Sequence, residues 1–180
     1  YERYNVNTSP LRDSKYSRLT DSEMNTIQLS LQNLPEDLFE RMGDIHLNVA
    51  PGKDPMLNRY GNSARYIFGY TETSGDITLT STWAKLKDQG DKISVITHEL
   101  GHTADFKTGS SNSPEWKALS QWKWNASDQQ YQAGRLNNLV SKYAMESPQE
   151  DFAESFNAYR YRPQYLMKKA PKKYLFLKNK

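Results

Sequence analysis

Thr97-His98-Glu99-Leu100-Gly101-His102-Thr103-Ala104-Asp105 is an H-E-x-x-H sequence set in a segment that reads as helix. Side chains four positions apart on a helix stand one above the other, so His98 and His102 present two imidazole nitrogens to one ion with Glu99 beside them. That layout predicts a zinc peptidase. Ile93, Ile96, Leu100 and Ala104 mark an apolar face next to the histidines, and Gly101 removes a side chain where another element can approach. The plain alternative is a surface helix whose histidines pair with neighbours, and the apolar face argues against it.

The chain of 180 residues is long enough for one domain with a sizeable core and hardly long enough for two. With no cysteine and only three histidines, disulfides, cysteine nucleophiles and cysteine-held metals are excluded, so any zinc rests on histidine and carboxylate. The formal charge of +3 is modest, and Lys168, Lys169, Lys172, Lys173, Lys178 and Lys180 gather at one end. We read them as a solvated tail rather than a nucleic-acid surface. No apolar run approaches the length of a membrane span, and the start carries no signal-peptide pattern. A monomer acting on protein or peptide is expected.

Residues 1–19 are polar and read as an arm, followed by a single domain over 20–180. Thr20-Asp21-Ser22-Glu23 has the capping-box pattern and opens a helix carrying Met24, Ile27, Leu31 and Leu34. Pro35 ends it and starts a shorter helix through Leu38, Phe39 and Met42. Ile45-His46-Leu47-Asn48-Val49 alternates as a strand does, with His46 outward and expected to be satisfied there rather than to bind metal. A loop over 51–63 precedes two strands, Arg65 to Thr71 and Ile77 to Ser81, joined at Thr73-Ser74-Gly75-Asp76. Ile77, Thr78, Leu79 and Thr80 are the expected edge strand that would pair with extended substrate. After a loop at 107–112, Ser113-Pro114-Glu115 begins a helix on which Trp116, Leu119 and Trp122 share a packing face. Ser147-Pro148-Gln149-Glu150 begins another, and Tyr174, Leu175 and Leu177 form a short docking face near the end. The fold class is α+β.

Catalytic zinc takes three protein ligands and leaves one position for water. One class of zinc peptidases finds the third ligand six residues after the second histidine, with a glycine midway; here those places hold Thr108 and Asp105, so that arrangement is out. The candidates are Asp105 and the series Glu146, Glu150 and Glu154. Glu150 has a competing role in closing a capping box after Ser147. Spacing alone leaves Glu150 and Glu154 open, one binding metal and the other receiving the N–H of a ligating imidazole. Asp105, three residues beyond His102, is either such an acceptor or a charge at the helix end.

Thr97 to Asp105, taken with Tyr143-Ala144-Met145-Glu146-Ser147-Pro148-Gln149-Glu150-Asp151-Phe152-Ala153-Glu154-Ser155-Phe156, resembles the catalytic domain of anthrax lethal factor and the related Pro-Pro endopeptidases. That family has a His-Glu-x-Gly-His helix, a later Glu-x-Phe-Ala-Glu-x-Phe helix, and a tyrosine seven residues before the first of those glutamates. The closing Lys169-Ala170-Pro171-Lys172-Lys173 is similar as well, and the resemblance covers roughly residues 93 to 175. It implies a zincin-like domain with a small N-terminal mixed sheet and a C-terminal helical part. It also implies a zinc metalloendopeptidase of gluzincin type, with Glu150 as third ligand, Glu154 behind the ligands and Tyr143 as oxyanion donor. Preference for proline near the scissile bond is a further implication, as is secretion, either as a free-standing enzyme or as part of a larger toxin or effector delivered to a host cell. Two alternatives stand: a binding module of this fold without activity, and a zinc peptidase of another lineage using Glu154 or Asp105.

Overall fold

Thr20 and Glu23 close the head of the first helix as their spacing predicts. In the computed structural model, described for residues 6–8, 19–32, 34, 42–49 and 67–179, helix α1 covers Asp21–Leu31. Thr20 Oγ1 accepts from the Glu23 N–H at 3.3 Å, and the Glu23 carboxylate accepts from the Thr20 N–H at 2.8 Å. Two amides that the helix leaves without partners are thereby satisfied. Ile27 and Leu31 follow on the buried face. The helix expected through Leu38 and Phe39 and the loop at 51–63 lie outside the described residues.

The chain divides into two compact units, Tyr1–Ala104 and Asp105–Lys180. The first contains a four-stranded sheet made of β1 (Val6–Asn7), β2 (Ile45–Val49), β3 (Gly69–Thr71) and β4 (Ile77–Leu79). Its order is β1-β2-β4-β3. Val6 lies opposite Ile45 and Asn7 opposite His46 in parallel, so the polar N-terminal arm contributes a strand. β4 runs parallel to β2 and antiparallel to β3, with Leu79 opposite both Val49 and Gly69. At the β3–β4 turn, Gly75 takes a φ of 95°, a left-handed value that glycine adopts without steric cost.

This order corrects the expectation for Ile77, Thr78, Leu79 and Thr80. β4 is interior, both of its backbone edges are taken, and all four residues are buried. Thr80 closes the strand as N-cap of α2 (Ser81–Ala84), and its hydroxyl donates to the Ile67 carbonyl at 2.7 Å. Among the described residues the outer strand on that side is β3.

Helix α3 (Gln89–Thr108) carries the H-E-x-x-H sequence. Ile96, Leu100 and Ala104 are buried, as the apolar spacing requires. Gly109 ends the helix with a φ of 66° and donates its N–H to the Asp105 carbonyl at 2.7 Å.

The second unit continues with α4 (Pro114–Ser120), a hairpin of β5 (Trp122–Asn125) and β6 (Gln130–Ala133), then α5 (Pro148–Tyr161), α6 (Pro163–Lys169) and α7 (Pro171–Lys178). A single turn of 3-10 helix at Tyr143–Met145 precedes α5. Proline opens the first turn of α4, α5, α6 and α7, where its missing N–H costs nothing. Trp122 departs from the expected helical face: α4 stops at Ser120, Gln121 turns through a φ of 55°, and Trp122 begins β5. Trp116 and Trp122 are nevertheless both buried, so their packing role holds. Trp122 joins Leu139, Val140, Ala144, Ala158, Leu166 and Ala170 in the core of this unit.

Lys173 overturns its place in the solvated tail. It is 1% exposed, and its ammonium donates to the carboxylate of Asp151, itself 0% exposed, and to the Asn138 carbonyl at 2.8 Å. Burial pushes the Asp151 carboxyl up and the Lys173 ammonium down, each held back by the other's charge.

Candidate active site

On α3, His98 and His102 stand one turn apart and half-buried, with ring centroids 4.8 Å apart and planes at 83°. Their Nε2 atoms approach to 3.1 Å. Tetrahedral zinc with Zn–N bonds of about 2.0–2.1 Å sets two ligand nitrogens roughly 3.3 Å apart. The pair therefore fits two corners of such a site. In metal-free protein the same approach suits an N–H···N bond between the rings; in either state both nitrogens address one point.

Glu99, between them in sequence, is 5% exposed. Its Oε2 accepts from the Thr71 hydroxyl at 2.7 Å, while the Glu99 carbonyl lies farther from that hydroxyl, at 3.1 Å. A hydroxyl has one proton to give, and the charged, nearer oxygen is the stronger acceptor. On its other side the carboxylate lies against Gly69. A Cβ there would stand 3.1 Å from Glu99 Cγ and 3.1 Å from Oε1, closer than an ordinary contact. β3 thus seats Glu99 twice, by a hydrogen bond from Thr71 and by the absence of a side chain at Gly69. Thr103 adds a bond from its hydroxyl to the Gly75 carbonyl at 2.9 Å, tying α3 to the β3–β4 turn. Sequence reasoning missed Thr71 and Gly69, because nothing local marks which residues of a strand will meet a helix some thirty positions later.

The seating is testable. Thr71→Val keeps the shape and removes the donor to a charged group, a bond of about 1.5–3 kcal/mol. We expect kcat on a peptide substrate to fall by about tenfold with KM little changed, since the loss touches the reacting group rather than substrate binding. Steady-state kinetics on Thr71→Val and the parent make the comparison.

In the second unit, Ser147 caps α5 by accepting the Glu150 N–H at 3.1 Å. The cap thus engages the backbone of Glu150. Glu150 and Glu154 lie one turn apart on α5 and are both half-buried, whereas Glu146 is exposed ahead of the cap. Tyr143, in the preceding 3-10 turn, is 54% exposed. Asp105 is buried, which sets aside the alternative of a surface charge at the helix end; its Oδ1 accepts the Ser111 N–H at 2.6 Å and fixes the chain just after α3. His46 is satisfied, as expected: its Nδ1 lies 3.2 Å from Asp76 Oδ1, which also accepts the His46 N–H at 3.1 Å. Partial burial alone would raise the Asp76 carboxyl, but the bonds from the His46 N–H, the Ser74 hydroxyl and the His46 ring outweigh it and hold the group below the ordinary range.

Two imidazoles addressing one point beside a seated carboxylate define a metal-dependent hydrolase site in outline. Residues 56–180 match the glucose-regulated metallo-peptidase M90 family, and the chain belongs to it. It is accordingly a metallopeptidase, which implies a divalent metal and a peptide or protein substrate. The fold is similar to that of the Pro-Pro endopeptidase from Paenibacillus alvei, at a TM-score of 0.62 and 15% identity, covering 97% of this chain and 96% of that one. At that identity the likeness speaks to the fold alone, a small mixed domain that agrees with the α+β class expected from the sequence. No curated protein sequence matches the chain. Among the described residues, no helix is long and apolar enough to cross a membrane.

Proposed function

We propose that the chain is a zinc endopeptidase of zincin type that hydrolyses a protein or peptide bound in extended form. In this reading one zinc ion is held by His98, His102 and Glu150, the ligand set that the sequence resemblance implies. The observation that carries the reading is the 3.1 Å approach of the two Nε2 atoms beside a buried Glu99. The donor set suits zinc: two neutral imidazoles and one carboxylate are a known catalytic combination that leaves a position open. When bound, zinc lowers the pKa of a water to about 7 and polarises the scissile carbonyl.

The chain's own residues supply the rest. Glu99 takes the proton of the attacking water on its carboxylate and returns it to the leaving amine. Thr71 and Gly69 keep that carboxylate in one orientation, so no reorganisation is needed at the moment of transfer. The phenol of Tyr143 donates to the carbonyl oxygen as negative charge develops there. Glu154, one turn along α5 from Glu150, accepts the outward N–H of a ligating imidazole, which fixes the tautomer. With β4 interior, the backbone that pairs with substrate belongs to β3, whose Thr71 already touches the base.

Zinc content and cleavage test this together. We expect one zinc per chain by elemental analysis, and cleavage next to proline in a peptide library read by mass spectrometry. Glu150→Ala is expected to weaken zinc binding far more than Glu154→Ala, which should lose about 10–100-fold. The reverse ranking would move the ligand to Glu154. Zinc bound without any cleavage would point to the inactive binding module.

A further inference from the structure

The first turn of α5 is held from three directions inside the second unit. On α4, Trp116 donates its indole N–H to the Pro148 carbonyl at 3.2 Å. At the end of α4 the Ser120 hydroxyl, and at the start of the hairpin the Trp122 indole N–H, donate to Asp151 Oδ2 at 3.2 and 3.0 Å. On α7, the Lys173 ammonium donates to Asp151 Oδ1. Lys173 also bonds the Asn138 carbonyl and sits 5.2 Å from the Trp116 ring centroid. Asp151 and Lys173 take no part in the proposed chemistry, yet both are removed from solvent.

A buried ion pair is a poor way to gain stability, because desolvating two charges offsets most of their attraction and an apolar pair of equal volume does as well or better. What it does give is direction: charge-assisted bonds are short and hold one geometry, where an apolar contact tolerates several. Here the direction is imposed on the residue immediately after Glu150. We propose that Lys173 is a positioning residue for the metal centre, its bond to Asp151 fixing the turn of α5 that carries Glu150. The proposal rests on the reading of Glu150 as a zinc ligand. The C-terminal helix thereby becomes part of the support of the metal site, through a lysine that the sequence presents as one of a solvated cluster.

The test is zinc affinity by chelator competition, with the thermal midpoint of the metal-free protein recorded for each variant. Lys173→Met keeps the length of the stem and removes the charge; we expect zinc to bind about 10–100-fold more weakly, the loss typical of disturbed outer support. Leu166→Ala, which empties a buried site elsewhere in the same unit, serves as a control. It should lower the midpoint while leaving zinc affinity within about twofold, because truncating an apolar side chain leaves every bond to Asp151 in place. Where Lys173→Met does not fold, Asp151→Asn combined with Lys173→Met removes both charges, and the same loss of zinc affinity is expected. Parental affinity in either folded variant overturns the proposal, as does an equal loss in Leu166→Ala. Glu150→Ala separates the two levels of inference. If it keeps parental affinity, the ligand reading fails and this proposal with it; if it loses zinc while the Lys173 variants do not, the positioning role alone is wrong.

Discussion

Glu99→Gln is expected to bind zinc as tightly as the parent and to lose about 10²–10⁴-fold or more in kcat, the range that a positioned general base contributes. The substitution is nearly isosteric, and the amide oxygen of glutamine still accepts from the Thr71 hydroxyl, which in the parent reaches Oε2 at 2.7 Å. Gly69 still leaves room for it. What glutamine lacks is a lone pair basic enough to take a proton at neutral pH. His98→Ala is the contrasting variant, because it removes one of the two converging nitrogens and should lose metal and turnover together. Zinc titration beside steady-state kinetics reads both. A Glu99→Gln enzyme within tenfold of parental kcat would place the base elsewhere, and one that fails to bind zinc would make Glu99 a structural group.

What was legible in the sequence was what local periodicity encodes. The spacing of His98 and His102, the apolar face of Ile96, Leu100 and Ala104, the capping box at Thr20 and Glu23, and the Ser-Pro starts at Ser113 and Ser147 each involve residues within a turn or two of one another. All of them form as expected. The failures are non-local. Ile77 to Leu79 looks like an edge strand until β2 and β3 take both of its sides, and the Val6–Asn7 strand was hidden in a polar segment too short to show alternation. Trp122 sits at a helical interval from Trp116, but Gln121 adopts a left-handed φ without glycine or asparagine to announce it. Lys173 reads as one of several lysines because its partner, Asp151, lies twenty-two residues upstream. Pairing across such a distance has no period to detect.

Asp151→Ala is expected to destabilise the protein by about 3–5 kcal/mol, because it leaves the Lys173 ammonium buried without its counter-charge. The carboxylate does more than neutralise. It accepts from Lys173, from the Trp122 indole, from the Ser120 hydroxyl and, at 3.5 Å, from the Ser155 hydroxyl, so alanine takes an acceptor from four donors at a place 0% exposed. Each buried donor left unpaired adds its own cost of about 1–3 kcal/mol, although these losses share one site and do not sum. Against a total stability of about 5–15 kcal/mol for a domain, that is a large part. Urea unfolding of the metal-free protein measures it without interference from metal linkage. Adding Lys173→Met to Asp151→Ala should recover a substantial share, since the cost of the single variant is chiefly that of an uncompensated charge. If the double variant is instead as unstable as the single one, packing around Asp151 rather than its charge is what holds α5, β5 and α7 together.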